Sequence, residues 1–574
     1  MSSTFDLQGS RLSRREWLGK MALPAAGSVI AAGLFEGEPA SARNKSAAGA
    51  EDLGARVYNI RAYGAKGDKT TLDTAAVQAA VDACTADGGG TVLVPAGTFV
   101  IGTVELKSNI TLHIAAGGTL VGSGDGQQYH AVDAIPLHGD TTLNDGNWAL
   151  LFAVKVQNVT IEGPGTIDGQ GALFHSPVRG TPPPSGLGGN RRPYHILVYQ
   201  SENFTVRNIS LLDCAYHSIR IIESQRIHLD SIYIHNRVNS NNDGFHFISA
   251  EHVTVSNCIV KSGDDACAMF GSCRYITVIN SYFSTRWSVF RFGGGHAGNI
   301  VISNCVLHEV YGCPMKFQGD PGSVFENISF CNLVLDDVTG PISISIGKGR
   351  RRESDPPLPA DLPPVVVRNI SFSNIHGTVT TNPPHQLSES TLGVGGRPGE
   401  GHSAIVLNSI DDSVLENISF DNVHLTFGGG GTAEEAARRD VPKVFGEYFE
   451  LGPIPAYGLY ARNAHGLTLQ NVRFQVSTPD LRPAVIFDHV EDAVFNGLSV
   501  QGNAEAESVL RFIDSKQTLI TAPRVLTPSS TFLQLEGEAN EGIIVEGGDL
   551  SKAASAVAFK FGATEQSVKL RNVS

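Results

Sequence analysis

One five-residue pattern, apolar, polar, apolar, any residue, then Asn, recurs through this 574-residue chain and limits what it can fold into. It reads Phe204-Thr205-Val206-Arg207-Asn208, then Val253-Thr254-Val255-Ser256-Asn257 and Ile276-Thr277-Val278-Ile279-Asn280. Further copies end at Asn304, Asn332, Asn374, Asn422 and Asn471, and Ser231 takes the Asn place after Ile227-His228-Leu229. From 208 through 231, 257, 280, 304 and 332 the steps are 23, 26, 23, 24 and 28 residues. Later steps of 42, 48 and 49 fit two coils, or one coil with an insertion. Alternation of period two marks each copy as a half-buried strand. Asn at the exit tolerates a left-handed turn, and its amide can bond the Asn of the next coil. Repeated strands without intervening helices argue against doubly wound folds. The period also suits leucine-rich repeats, but their Leu-x-Leu pattern is missing. The expectation is an all-β chain, a single-stranded right-handed parallel β-helix.

Open ends of such a stack need covering, because unpaired edges recruit other chains. Residues 73–86 place apolar side chains at helical spacing and predict a short capping helix at the N-terminal end. Gly88-Gly89-Gly90 ends it, and Thr91 to Val94 is read as the first strand. Pro177 to Pro193 and Gly347 to Pro364, the latter with Arg350-Arg351-Arg352, are read as loops. Thr432 to Phe449 is read as a helical excursion, and the chain beyond about 505 as terminal coils.

The first 42 residues read as an export signal: Ser13-Arg14-Arg15-Glu16-Trp17-Leu18, an apolar stretch from Met21 to Phe35, then Ala40-Ser41-Ala42. That leaves 43–574 as one β-helix domain, exported by the twin-arginine route to the periplasm or beyond. The apolar stretch is too short and too rich in Gly and Ala for a membrane anchor. A net charge of −14 argues against nucleic acid as partner, which needs a basic face. An acidic polysaccharide is still allowed, since a local basic cleft can coexist with an acidic surface. The eight Cys show no zinc-like spacing, and Cys258 and Cys305, each after a Ser-Asn of the repeat, are expected to pack as small hydrophobes. No cofactor is expected. Cargo of this route folds in a reducing cytosol, so no disulfide is needed.

In a β-helix, residues one coil apart lie about 4.8 Å above one another. Asn241-Asn242-Asp243-Gly244 precedes the strand Phe245-His246-Phe247, and Gly263-Asp264-Asp265 precedes Ala266-Cys267-Ala268-Met269. Asp243 and Asp265 are 22 residues apart, so they should be neighbours on one face. Counting on by 23 and 28 continues the column to Ser288 and Lys316. Clustered carboxylates repel, so one should keep its proton near neutral pH and can donate it. Calcium binding is the other use of three carboxylates.

These motifs, with Tyr63-Gly64-Ala65-Lys66-Gly67-Asp68 and Ile454-Pro455-Ala456-Tyr457-Gly458-Leu459-Tyr460, resemble glycoside hydrolase family 28, the polygalacturonases and rhamnogalacturonases. The resemblance implies inverting hydrolysis, with Asp264 as general acid and Asp243 and Asp265 holding and activating the attacking water. Inverting enzymes keep their carboxyls about 6.5–9.5 Å apart. Two family motifs are altered. Trp287-Ser288-Val289 stands where Gly-His-Gly is usual, and Pro314-Met315-Lys316 keeps the Lys of Arg-x-Lys without the Arg. His296 falls about eight residues late and is read as a loop residue. Lys316 is expected to hold an anionic sugar group as a point charge, with Asn241, Ser288 and a stacking Trp287 as further substrate contacts. Arg291, Arg286 or the run at 350–352 would replace the lost Arg. The expected partner is a pectin-type polysaccharide or oligosaccharide bound by a monomer. A polysaccharide lyase and a non-catalytic glycan-binding β-helix are the alternatives.

Overall fold

The repeated Asn residues are the corners of the molecule. In the computed structural model Asn208, Asn257, Asn280, Asn304, Asn332, Asn374, Asn422 and Asn471 all have positive φ, as does Ser231. Their side chains form a ladder: Asn332 Nδ2 donates to Asn304 Oδ1 at 3.0 Å, Asn374 to Asn332 at 3.0 Å and Asn422 to Asn374 at 2.8 Å. Asn471 continues it onto Asn422 at 3.0 Å, so each step of 42, 48 or 49 residues is one coil with an insertion. A second ladder joins Asn299, Asn327, Asn369 and Asn417 at the preceding corner.

Residues 56–131, 147–174, 191–348, 361–384, 386–390, 397 and 399–573 are described, within a unit that runs Asp52–Ser574. The signal read over 1–42, most of the 177–193 loop and the Arg350–Arg352 run lie outside the described residues.

All coil-to-coil pairings between named strands are parallel, in one sheet of 28 strands and another of 15. The fold is a parallel β-helix. Strands such as His296–Val310 and Val324–Val338 run through two faces around their Asn corner, which joins those faces into the larger sheet. The smaller sheet carries the third face, including Ile219–Ile222, Phe245–Ile248, Cys267–Phe270, Ser288–Gly293 and Cys313–Gln318 in register.

Alternation puts Phe245, Phe247, Phe290, Phe292 and Phe317 inside, fully buried. Phe292 stacks on Phe317 at 4.5 Å, and Phe330, Phe372 and Phe420 stack at 5.2 Å per step. Each such side chain contributes roughly 1.5–3 kcal/mol by leaving water. The helix Thr74–Ala86 buries Val77, Ala80, Val81 and Cys84 on the first coils. All eight cysteines are free, seven of them buried.

Two expectations are corrected. Val57–Asn59 and Asp68–Leu72 precede the helix, so Gly90–Val94 is not the first strand. Val57–Asn59 pairs in register with Thr91–Leu93, but three residues are too few to show alternation. The excursion after Thr432 is helical only over Ala433–Ala437, closed by a Thr432/Glu435 capping box, and ends in a 3-10 turn, Tyr448–Leu451. Pro442 and Gly446 interrupt helical hydrogen bonding between them.

Candidate active site

The turn before each strand of the smaller sheet delivers the acidic side chains. Ser218 N–H donates to the Asp243 carbonyl at 2.9 Å, and Gly244 N–H to that of Asp265 at 3.0 Å. With Ile219 paired to Phe245 and Phe245 to Cys267, the turn positions stack as His217, Asp243, Asp265 and then Ser288. Gly244 is required by close approach: a Cβ there would meet Ala266 O at 2.5 Å and Val260 Cγ1 at 2.6 Å. Gly244→Ala should therefore displace Asp243 and lower turnover by about 10²-fold, with the circular dichroism of the fold retained. Wild-type turnover would contradict this packing.

Asn242 is buried and braces the turn, accepting from the N–H groups of Val238 and Asn239 and donating to the carbonyls of Cys214 and Tyr216. Asp264 faces the opening, where Asn241 Nδ2 donates to its Oδ2 at 3.4 Å and the N–H of Asp265 to its Oδ1 at 2.9 Å. Asp265 accepts from the Ser288 N–H at 3.1 Å, and Arg291 Nε lies 3.9 Å from its Oδ2. Asp243 meets His246 Nδ1 at 2.7 Å and His217 Nε2 at 3.6 Å. The two imidazoles stack at 4.3 Å, between Tyr216 and Phe270.

Asn241, Asp243, Asp264, Asp265, His217 and His246 line a cavity of about 490 Å³ that also includes Arg220 and Asp320. Burial, and then the neighbouring Asp265 charge, push the Asp264 carboxyl up to about 7. Burial and the charges of Asp264 and Asp265 raise Asp243 well above the usual carboxylate range. Burial and nearby cations, Arg220 among them, hold His217 and His246 well below the ordinary imidazole value. Asp243 and His246 are thus a buried, hydrogen-bonded carboxyl–imidazole pair. Donor atoms of His217, Asp243 and His246 lie within 4.8 Å of one another, close enough to suggest a cation site. Near-parallel rings aim their lone pairs side by side, and two arginines repel a cation, so hydrogen bonding suits the trio better.

Several expected contacts fall elsewhere. Lys316 does not continue the column: Ser288 pairs with Cys313, and Lys316 with Arg291. Three extra residues of that coil lie in the turn 319–323, since Gly293 pairs with Gln318 but His296 with Val324. Lys316 is also not open to an anion, because its Nζ lies 2.7 Å from Glu447 Oε1. Trp287 is half-buried and already carries Arg397 over its ring at 3.8 Å, with Lys316 at 5.3 Å. Ser288 is fully buried and serves through its N–H rather than its hydroxyl. Arg286 is buried against Glu400 at 2.8 Å, away from the cavity lining. Arg291 stands beside the acids, its Nη1 donating to Gln318 Oε1 at 2.7 Å. His296 is corrected from a loop residue to the first residue of the strand His296–Val310, where it pairs with Glu326 at 2.8 Å outside the cavity.

The sequence reading missed His217, Arg220 and His246. Outward alternation in Phe245-His246-Phe247 marks His246, and counting one coil back from Asp243 reaches His217. Asp320 comes from the enlarged turn and has no repeat signal.

The model of the family described as "Glycosyl hydrolases family 28" matches residues 84–392, more than half of the chain. A protein named exo-poly-alpha-D-galacturonosidase from Dickeya chrysanthemi is 26% identical over 436 residues, 64% of this chain and 71% of its own length. A polygalacturonase from Malus domestica is 26% identical over 342 residues, 56% of this chain and 69% of its own. A solved exopolygalacturonase from Thermotoga maritima shares the fold, with a TM-score of 0.51 and 20% identity, covering 65% of this chain and 88% of that one.

Proposed function

This chain belongs to the glycosyl hydrolases of family 28 and is a polygalacturonase-like glycoside hydrolase, and we propose that it cleaves a pectin-type polysaccharide, galacturonan or rhamnogalacturonan, by one inverting displacement at Asp243, Asp264 and Asp265. The observation that carries this reading is the gathering of three carboxyls in one cavity, with Asp264 still able to hold a proton near neutrality. Asp264 gives that proton to the leaving oxygen. Asp265 and Asp243 hold the attacking water on the other side of the bond. The proton lost by water passes to the Asp265 carboxylate, while Asp243, hydrogen-bonded to His246 at 2.7 Å, orients that water.

A lyase would need a Lys or Arg free to take a proton from carbon. Lys316 is engaged by Glu447 and Arg291 by Gln318, which favours hydrolysis over elimination. The proposed partner is the glycan, and the proposed location follows the Arg14-Arg15 signal out of the cytoplasm.

The pH dependence tests the acid. A carboxyl raised to about 7 is protonated below that value and loses its proton above it. Turnover should therefore fall above about pH 7, approaching tenfold per unit. Saturated reducing ends appearing along that limb support the proposal. A rate that is flat or rising between about pH 6 and 9, or an unsaturated ultraviolet-absorbing product, contradicts it.

A further inference from the structure

Beside the three acids lies a second group of charges. Lys316 and Arg291 are neighbours on adjacent rungs, and both are near enough to Asp264 to act on its carboxyl. A uronate carboxylate entering next to the cleaved bond would be drawn to this pair. The place is already filled. Glu447 puts Oε1 2.7 Å from Lys316 Nζ and 3.9 Å from Arg291 Nη1. Its Oε2 is buried and takes no hydrogen bond from the described protein. Arg397, laid across Trp287 and Phe449, adds a third cation whose charge reaches Glu447.

Glu447 is firmly held. Its N–H donates to Glu450 at 3.1 Å, and the next residue, Tyr448, is fully buried and donates to Thr339 Oγ1 at 2.9 Å. Tyr448 also packs with Cys313, Ala404 and Val406 on the outer side of the smaller sheet. A carboxylate carried by such a segment is a fixed part of the site.

We propose that Glu447 is a specificity-determining residue that occupies the carboxylate position made by Lys316 and Arg291, so that the sugar beside the cleaved bond is one without a free carboxylate, such as a methyl-esterified galacturonate. A second carboxylate would meet like charge and find its cation taken. A neutral ester brings no such repulsion. This inference rests on the pectin-hydrolase reading above.

Binding separates the two claims. Calorimetry on the full chain carrying Asp264→Asn compares trigalacturonate with its methyl ester at neutral pH. The ester should bind at least about tenfold more tightly. Adding Glu447→Gln frees Lys316 and should reverse that preference by a similar factor. Adding both Lys316→Met and Glu447→Gln removes the pair together, guards against an unfolded single variant, and should bring the two affinities close to equal. Equal or tighter binding of the acid with Glu447 intact overturns the inference. So does an unchanged ratio on Glu447→Gln, or the absence of binding by either ligand. Failure of the hydrolase reading looks different: ester-selective binding would persist, but the chain with Asp264 intact would release no product.

Discussion

Replacing Asp264 by Asn should lower kcat for glycan cleavage by about 10³-fold, within the range of a lost general acid, while binding is largely kept. The amide matches the carboxyl in shape and can still face Asn241 and the N–H of Asp265, so the turn has little reason to move. What disappears is a proton available to the leaving oxygen. The environment that raises Asp264 to about 7 is burial reinforced by the Asp265 charge, and both survive the substitution. Steady-state kinetics on a pectin-derived panel, alongside thermal melts, distinguish lost chemistry from lost fold. A variant with wild-type kcat would remove Asp264 from the acid role.

The second large effect concerns the segment that carries Glu447. Arg482 and Asp480 form an ion pair at 2.7 Å with side chains 1% and 0% exposed. Asp480 also accepts from the N–H of Gly431, where the excursion leaves its strand. Arg482 Nη1 donates to His402, Ile454 and Ala456 carbonyls, the last two where the excursion returns. One buried pair thus ties both ends of the insertion to the helix. Asp480→Ala leaves a guanidinium buried without its counter-charge, and should cost roughly 3–5 kcal/mol. A urea titration should show the lowered midpoint. A loss below about 1 kcal/mol, as for exposed pairs, would mean that the insertion is anchored by its apolar contacts instead.

The architecture was legible because every coil needs the same corner. A left-handed residue must follow each short strand, and Asn both adopts that conformation and bonds its copy one coil away. The Asp243–Asp265 neighbourhood was legible for the same reason, since both lie in turns one regular coil apart. Regularity failed at the turn 319–323. Its three extra residues made a count of 28 land on Lys316 instead of Cys313. Glu447 was out of reach, because it meets Lys316 across 131 residues through an insertion with no repeat register. The buried imidazoles carried a signal that was not used: alternation points His246 outward, and coil spacing puts His217 over Asp243.

The central claim is direct displacement by water at the three aspartates. Proton nuclear magnetic resonance during the first minutes of cleavage reads it directly, by following the anomeric signal of the newly formed reducing end before mutarotation mixes the forms. Inverting hydrolysis predicts that this end first appears in the configuration opposite to that of the broken bond. Initial appearance of the same configuration would require a covalent intermediate and contradict the mechanism.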